Sequence, residues 1–193
     1  MAFEVELGTG SATATALASV AFVDAFWADR GGATNTAWAA ASTGNKQLAI
    51  VIASDYIRSQ PRYRWLGQRL SYAQAMPWPR TGAVERDGVA VPSNVVPWRV
   101  AQAAALLAPR ALAGEALLPD LGRGGMVTSE SVGPISASYS DKAPPGVVIQ
   151  AVDGLLAPLL RRPGLDYVGG TLVQTAIPAG YKGPDEFAFG SGE

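Results

Sequence analysis

The strongest constraint on the fold of this chain is a segment at residues 62–82 that combines arginine, tryptophan and proline. It holds two of the five Trp and four of the fifteen basic residues. Pro77 and Pro79 flank Trp78, and each proline fixes its own φ and pushes the preceding residue toward an extended conformation. Trp78 is therefore expected on a rigid, extended stretch of backbone. We refer to residues 62–82 as the arginine-aromatic segment.

Two interpretations of this segment lead to different functions. In the first, Trp65, Tyr72 and Trp78 are core aromatics that close a helical domain, because large aromatic side chains usually serve burial. In the second, the alternating basic and aromatic residues form a surface on which nucleic-acid bases stack. The residues that such a DNA-binding surface would use are Arg62, Tyr63, Arg64, Arg69 and Arg80, with Trp65 and Trp78 beside them.

Composition narrows the possible chemistry. The 193 residues are 48% hydrophobic and 16% charged, which allows one domain with a core, and the net charge of −1 provides no overall basic field. The sequence contains no Cys and no His, which excludes thiol chemistry, Cys/His zinc sites and Ser-His-Asp triads. The acidic residues are scattered, and no phosphate-loop motif occurs. We therefore expect no enzyme activity, no catalytic residues, no metal site and no cofactor.

The apolar pattern gives no indication of a membrane protein. No run of eighteen apolar residues occurs, and residues 1–6 are acidic, unlike a signal peptide. We expect a soluble protein that is made inside the cell and has no membrane partner.

Apolar spacing predicts a mainly α protein, a small helical bundle with a β-hairpin arm and an extended C-terminal tail. Ser19 is a candidate N-cap for a helix over residues 20–30, and Ser42 or Thr43 for one over 44–59, with Leu48 on its apolar stripe. Pro97 suits the first turn of a helix that runs to about residue 113, with a kink or restart expected at Pro109. A last helix is predicted over residues 147–160. The expected aromatic anchors of the core are Trp27, Trp38, Tyr56, Trp65 and Trp78.

The β-forming runs lie mostly in the second half of the chain. Two runs rich in Ser, Thr and β-branched residues flank Gly133-Pro134 and predict a hairpin at about residues 126–140. Asp87-Gly88 between apolar residues predicts a second, short hairpin turn.

Residues 1–164 are predicted to form the helical domain, and residues 165–193 a separate tail. The tail is rich in glycine, yet it carries large apolar side chains that a disordered tail rarely keeps. A segment of this kind is a candidate for docking on a partner, with strand addition around residues 171–175 as the expected mode, whereas the alternative is a floppy tail. The predicted docking residues are Tyr167, Leu172, Val173, Ile177, Tyr181, Phe187 and Phe189.

Several short motifs together resemble one family. They include Gly8-Thr9-Gly10, Ala37-Trp38, Arg64-Trp65-Leu66-Gly67, Leu118-Pro119-Asp120 and Val132-Gly133-Pro134, and the most specific is Trp78-Pro79-Arg80-Thr81-Gly82. This pattern is similar to small phage proteins often labelled DnaT-like single-stranded-DNA-binding proteins. These in turn resemble the head-to-tail connector (adaptor, or head-completion) proteins of long-tailed phages and gene transfer agents. The resemblance covers about residues 5–160, and the chain departs from the pattern at Leu17, where the family usually has a tyrosine.

The resemblance implies a structural role in the neck of a virion, at the head–tail interface, for a protein made in the host cytoplasm. The expected assembly is a homo-oligomeric ring, by resemblance a dodecamer, that joins the portal protein to the tail-side neck proteins, a stopper or tail terminator. Genome double-stranded DNA would pass through the lumen without sequence-specific binding. The alternative function is that of a single-stranded-DNA-binding accessory protein of replication.

Overall fold

Helices dominate the described part of the chain, so the predicted mainly α class is confirmed. The computed structural model describes residues 2–60, 63–118 and 149–161, and the backbone of strands at 129–132, 135–138, 166–168 and 171–173. In these parts the helices are α1 (Val20–Ala28), α2 (Gly32–Ala40), α3 (Thr43–Ser59), α4 (Trp98–Leu112) and α5 (Gln150–Leu156), which a 3₁₀ turn, Ala157–Leu159, extends. None of the described helices combines the length and the apolar character that crossing a bilayer requires.

Two helix starts follow the capping pattern of the sequence. The Ser19 hydroxyl accepts a hydrogen bond from the Phe22 amide at 3.1 Å, and the Ser42 hydroxyl accepts one from the Asn45 amide at 3.2 Å. These bonds satisfy backbone donors that have no partner inside the first helical turn. The sequence signal and the structure therefore agree on where α1 and α3 begin.

The centre of the core is the contact between α3 and α4. The buried face of α3 differs from the predicted apolar stripe at one residue. The predicted stripe included Leu48, but this side chain is 60% exposed. The buried face instead carries small residues, Ala49 and Ala53, alongside Ile50. The buried residues of α4 are also rich in alanine. Leu48 lies on the other side of α3 from the centre of its buried face, because successive residues of an α-helix are about 100° apart.

Helix α4 continues through Pro109 as one helix, so the predicted restart at this residue is wrong. Proline has no amide hydrogen, so the carbonyl four residues earlier, that of Ala105, lacks its usual helical partner. The indole Nε1 of Trp27 on α1 donates a hydrogen bond to the Ala105 carbonyl oxygen at 2.8 Å. A side chain from a neighbouring helix thus replaces the missing backbone donor.

The arginine-aromatic segment joins the end of the helical region through backbone pairing. The Leu66 amide donates to the Leu159 carbonyl at 2.9 Å, and the Arg161 amide donates to the Arg64 carbonyl at 2.7 Å. Within the segment, β1 (Gln68–Arg69) pairs antiparallel with β2 (Arg80–Thr81), which places Arg69 opposite Arg80. The pairing places the chain at Arg161 beside the arginine-aromatic segment.

The predicted hairpins form at the expected places, with one difference in the tail. A bridge between Val84 and Ala90 closes the turn at Asp87-Gly88. Strands β3 (Ser129–Val132) and β4 (Ile135–Ser138) pair antiparallel inside the predicted range 126–140. In the tail, β6 (Thr171–Val173) pairs with β5 (Asp166–Val168), so this run finds a partner strand in its own chain, whereas we expected it to add to a sheet of another protein.

Candidate interaction surface around the arginine-aromatic segment

The aromatic side chains of the segment lie inside the protein. Trp78 is fully buried, and Tyr63 and Trp65 are nearly so. The Trp65 ring packs edge-on against the Trp78 ring, with 5.9 Å between centroids and an interplanar angle of 86°. The Tyr63 hydroxyl donates a 2.6 Å hydrogen bond to Asp153 Oδ1 on α5. These three rings are therefore packed as core residues and present no face on which a base could stack.

Gln74 holds the bend of the segment together. Its side chain is buried, and its Nε2 donates to the carbonyl oxygens of Met76 at 2.8 Å and Pro79 at 3.1 Å. Its Oε1 accepts from the Ser71 amide at 3.0 Å. One amide side chain thus ties the turn at residues 71–74 to the stretch that precedes Arg80, which is consistent with the rule that buried polar groups are hydrogen-bonded.

The guanidinium group of Arg80 binds backbone carbonyl oxygens of the segment, and its positive charge lies near two other arginines. Its guanidinium donates to the carbonyl oxygens of Leu66 at 2.7 Å, Gly67 at 2.9 Å and Pro77 at 3.2 Å. Burial, and then the positive charges of Arg161 and Arg69, lower the pKa of Arg80 to about 10. The group is still charged at neutral pH, so three like charges stand close together. We call Arg69, Arg80 and Arg161 the arginine cluster.

Tyr72 corrects one of the sequence-based expectations. It was predicted to be a core aromatic, yet its side chain is 94% exposed. Within the turn at residues 71–74, the buried position is taken by Gln74, whose side chain satisfies backbone groups, and Tyr72 faces solvent. The exposed Leu70 lies between Tyr72 and Arg69 in the chain. The polar Ser71, whose hydroxyl accepts from the Ala73 amide at 3.2 Å, was the available signal for this turn.

The backbone amides of the glycine-rich stretch Gly8-Thr9-Gly10 bind the side chain of Glu6. The buried carboxylate of Glu6 accepts hydrogen bonds from the amides of all three residues through Oε1, at 2.8 to 3.0 Å, and from the Ser11 amide through Oε2 at 2.8 Å. Backbone amides in such a concave arrangement favour an anion. Because the Glu6 carboxylate occupies them, the loop is a structural element, in line with the missing phosphate-loop motif.

Two further properties of the acidic side chains are the lowered pKa of Glu4 and the absence of a metal-ligand group among the described residues. The Ser11 hydroxyl donates to Glu4 Oε1 at 2.6 Å, and this bond, followed by one from Thr13, lowers the pKa of Glu4 below its ordinary value. Among residues 2–60, 63–118 and 149–161, no group of three acidic side chains is placed to hold a metal ion.

Comparison with known protein families identifies one match. A family model described as "Putative DnaT-like ssDNA binding protein" matches residues 1–173. The chain belongs to this family. The resemblance to proteins that carry this label is therefore confirmed, and the description names single-stranded DNA binding without mentioning a connector. Comparisons with curated proteins and with solved structures find no match.

In this member of the DnaT-like family, the five residues of the DNA-binding alternative have separate environments. Tyr63 is buried, and the guanidinium of Arg80 is bound to backbone carbonyls. Arg64 and Arg69 are exposed, whereas Arg62 lies outside the described residues. Of the five, Arg64 and Arg69 are thus exposed, and Arg80 is partly exposed. Arg161, which follows the last helical turn, joins Arg69 and Arg80 through tertiary structure.

The remaining predicted anchors have defined positions. Trp38 and Tyr56 are fully buried, and Trp38 Nε1 donates to Asp24 Oδ1 at 2.7 Å. Lys46 Nζ lies 3.0 Å from the same Asp24 oxygen. Trp27 is only partly buried, and its contribution includes the hydrogen bond to the Ala105 carbonyl.

The predicted docking residues of the tail fall outside the part of the chain whose side chains are described. Tyr167 lies on β5, and Leu172 and Val173 lie on β6, where only the backbone pairing is given. The positions of Ile177, Tyr181, Phe187 and Phe189 are not among the described residues. The docking hypothesis for residues 165–193 therefore rests on their sequence.

Proposed function

We propose that this member of the DnaT-like family is a structural subunit of a head-to-tail connector, an adaptor ring between a portal and the tail-side neck proteins. The observation that carries the proposal is the burial of Tyr63, Trp65 and Trp78. The most specific motif of the family resemblance, Trp78-Pro79-Arg80-Thr81-Gly82, lies in a scaffold that is held by aromatic packing and by hydrogen bonds from Arg80 to backbone carbonyls. A protein built to stack bases would leave these rings accessible.

The described surface also suits a subunit that assembles. Large apolar side chains are exposed at separate places, including Leu48 on α3, Val89 in the short hairpin and Trp98 at the start of α4. In a closed ring, each subunit contacts its two neighbours through different surfaces, so apolar groups on several sides can be buried by assembly. The net charge of −1 is consistent with a conduit through which DNA passes without being held tightly.

Imaging of purified particles and of the free protein tests this proposal. We expect a ring of this protein at the neck of portal-bearing particles, and rings or ring fragments of the free protein at high concentration. A protein that is absent from particles and stays monomeric at every concentration tested would refute the connector role.

A deletion of residues 165–193 tests the tail in the same system. Because the predicted docking residues all lie beyond Gly164, we expect the truncated protein to keep a near-normal melting temperature and to lose attachment to portal-bearing heads. Normal attachment of the truncated protein would contradict the docking role of the tail. A truncated protein that failed to fold would contradict the separation of tail and helical domain.

Single-stranded DNA binding is the second candidate, because the family description names it and because Arg64 and Arg69 are exposed. Fluorescence anisotropy of a labelled oligonucleotide measures it, and the affinity should fall steeply with salt if phosphates are bound. The variant Arg64→Ala/Arg69→Ala should then bind more weakly, whereas Arg86→Ala, at an exposed arginine of the Asp87-Gly88 turn, is the matched control. Tight, salt-sensitive binding by the wild-type protein that the double variant loses would favour this function over the connector.

A further inference from the structure

The arginine cluster is a concentrated positive charge that the described structure leaves without a carboxylate partner. The ion pairs among the described residues involve Lys46, Arg58, Arg99 and Arg110, and none of the three cluster arginines. Arg69 is exposed, and Arg80 and Arg161 are partly exposed. Neighbouring like charges repel one another, so an anionic group that bridges them would relieve the repulsion.

Two large exposed side chains, Leu70 and Tyr72, closely follow Arg69 in the chain. Tyr72 and Leu70 are exposed on the turn that follows Arg69, and Gln74 fixes that turn to the Pro79 carbonyl, directly before Arg80. The combined surface therefore has a cationic part and an aromatic part. Tyr and Arg are the residue types most often found at the energetic centre of protein interfaces.

The chain itself contains a segment of complementary chemistry. Residues 183–193 carry three carboxylates, Asp185, Glu186 and Glu193, together with Phe187 and Phe189, and no basic residue. An acidic and aromatic segment matches both parts of the surface. The overall charge of −1 gives no comparable long-range attraction for a nucleic acid.

The path of the chain also favours this segment. The described body ends at Arg161, which is itself a member of the cluster, because its backbone amide is bound to the Arg64 carbonyl. The hairpin of β5 and β6 folds the chain back on itself, and residues 174–184 then span up to about 36 Å when extended. A tethered segment that can reach its site has an effective concentration on the order of millimolar.

We propose that residues 183–193 bind across the arginine cluster and Tyr72 of their own chain in the free subunit. The carboxylates of Asp185 and Glu186 pair with the guanidinium groups, and Phe187 and Phe189 cover Leu70 and Tyr72. This contact does not depend on the connector role, since it concerns the single subunit before any partner is met.

Site-specific photo-crosslinking of the full chain tests the proposal. The photoreactive amino acid p-benzoylphenylalanine replaces Tyr72, which retains an aromatic ring at an exposed position, and mass spectrometry maps the crosslinked peptides. A mixture of ¹⁴N- and ¹⁵N-labelled protein at low micromolar concentration separates contacts within one chain from contacts between copies. We expect crosslinks to residues 183–193 within one chain, and a large loss of yield in 1 M salt, where the screening length is only about 3 Å.

Charge variants identify the groups that hold the segment. Arg69→Glu should lower the crosslink yield about fivefold, because an exposed ion pair contributes up to about 1 kcal/mol and the new carboxylate repels the acidic segment. Asp185→Lys/Glu186→Lys should lower it similarly, and combining it with Arg69→Glu should restore only part of the yield, because Arg80 and Arg161 keep their positive charges. Arg86→Glu is the control for a change of charge elsewhere. Because Arg86 is exposed and lies outside the arginine cluster, this substitution should leave the yield within about twofold.

Four results of the crosslinking experiment would overturn the proposal. They are crosslinks that map outside residues 183–193, the absence of any crosslink, crosslinked pairs that mix the two isotopes, and a yield that is indifferent to Arg69→Glu. A thymidine oligonucleotide is the probe for the competing occupant. If it binds the wild-type protein and Asp185→Lys/Glu186→Lys equally well, and Arg69→Glu abolishes that binding, the cluster is a nucleic-acid site and the tail contact is refuted.

Discussion

The hydrogen bond from Trp27 to the Ala105 carbonyl explains why Pro109 does not interrupt α4, and it can be tested by a double-mutant cycle. The donor and acceptor are 2.8 Å apart, and Ala105 is fully buried. Trp27→Phe keeps an aromatic ring on α1 and removes the indole N–H. In this variant the carbonyl oxygen has neither a backbone nor a side-chain donor.

The expected loss of stability in Trp27→Phe follows from the unpaired carbonyl of Ala105. A buried carbonyl without a donor costs about 1–3 kcal/mol, and the smaller ring of Phe adds a loss of packing. In the Pro109→Ala background, the amide of residue 109 can donate to the Ala105 carbonyl, so Trp27→Phe should cost less there. We expect the two changes to be coupled by about 1–2 kcal/mol, since the restored amide replaces the indole donor.

Urea denaturation followed by far-ultraviolet circular dichroism measures the four free energies of unfolding that the cycle needs. The variant Trp27→Phe alone is expected to unfold at lower urea than the wild type with an unchanged m-value. Losses that add within about 0.5 kcal/mol would refute the reasoning, because independent sites behave in that way. An undiminished cost of Trp27→Phe in the Pro109→Ala background would mean that ring packing, and not the missing proline amide, explains the role of Trp27.

Three further predictions concern stability. Trp78→Ala removes a fully buried ring and should cost about 3–5 kcal/mol, whereas Trp98→Ala, at a side chain that is 54% exposed, should stay within about 1 kcal/mol; thermal melts of both variants decide whether Trp78 is a core residue. Gly8→Ala would place a Cβ on the backbone of residue 94 at a positive φ, and its melt should show a loss about 1–3 kcal/mol larger than that of Gly88→Ala, where φ is also positive but the space is open. The pKa of Glu4 is lowered below 4.5 in the folded state, so its carboxylate adds stability that is present above that pH and disappears as the pH falls through the folded-state pKa; stability measured against pH should decline less on the acid side in Glu4→Gln, and an identical acid limb would contradict this assignment.

Local chemistry was sufficient to predict much of the secondary structure. Ser19 and Ser42 satisfy the first amides of α1 and α3, and Asp87-Gly88 forms a turn, because these effects operate within a few residues. The same holds for the mainly α class and for the hairpin of β3 and β4, which follow from apolar spacing and β-forming runs. The motifs of the arginine-aromatic segment also indicate the family without any tertiary information.

Tertiary structure alone decided which of these residues face solvent and which groups meet. Sequence cannot show that Tyr72 is exposed while Trp78 is buried, because the side of a turn that faces the core depends on where Gln74 finds its backbone partners. It cannot show that α4 passes through Pro109, because the replacement donor, Trp27, lies on another helix 78 residues away. The arginine cluster likewise exists only because the chain at Arg161 pairs with the backbone at Arg64, which brings charges distant in sequence to one surface. Long-range hydrogen bonds and close helix packing therefore set the candidate surface, whereas local propensity set the elements that carry it.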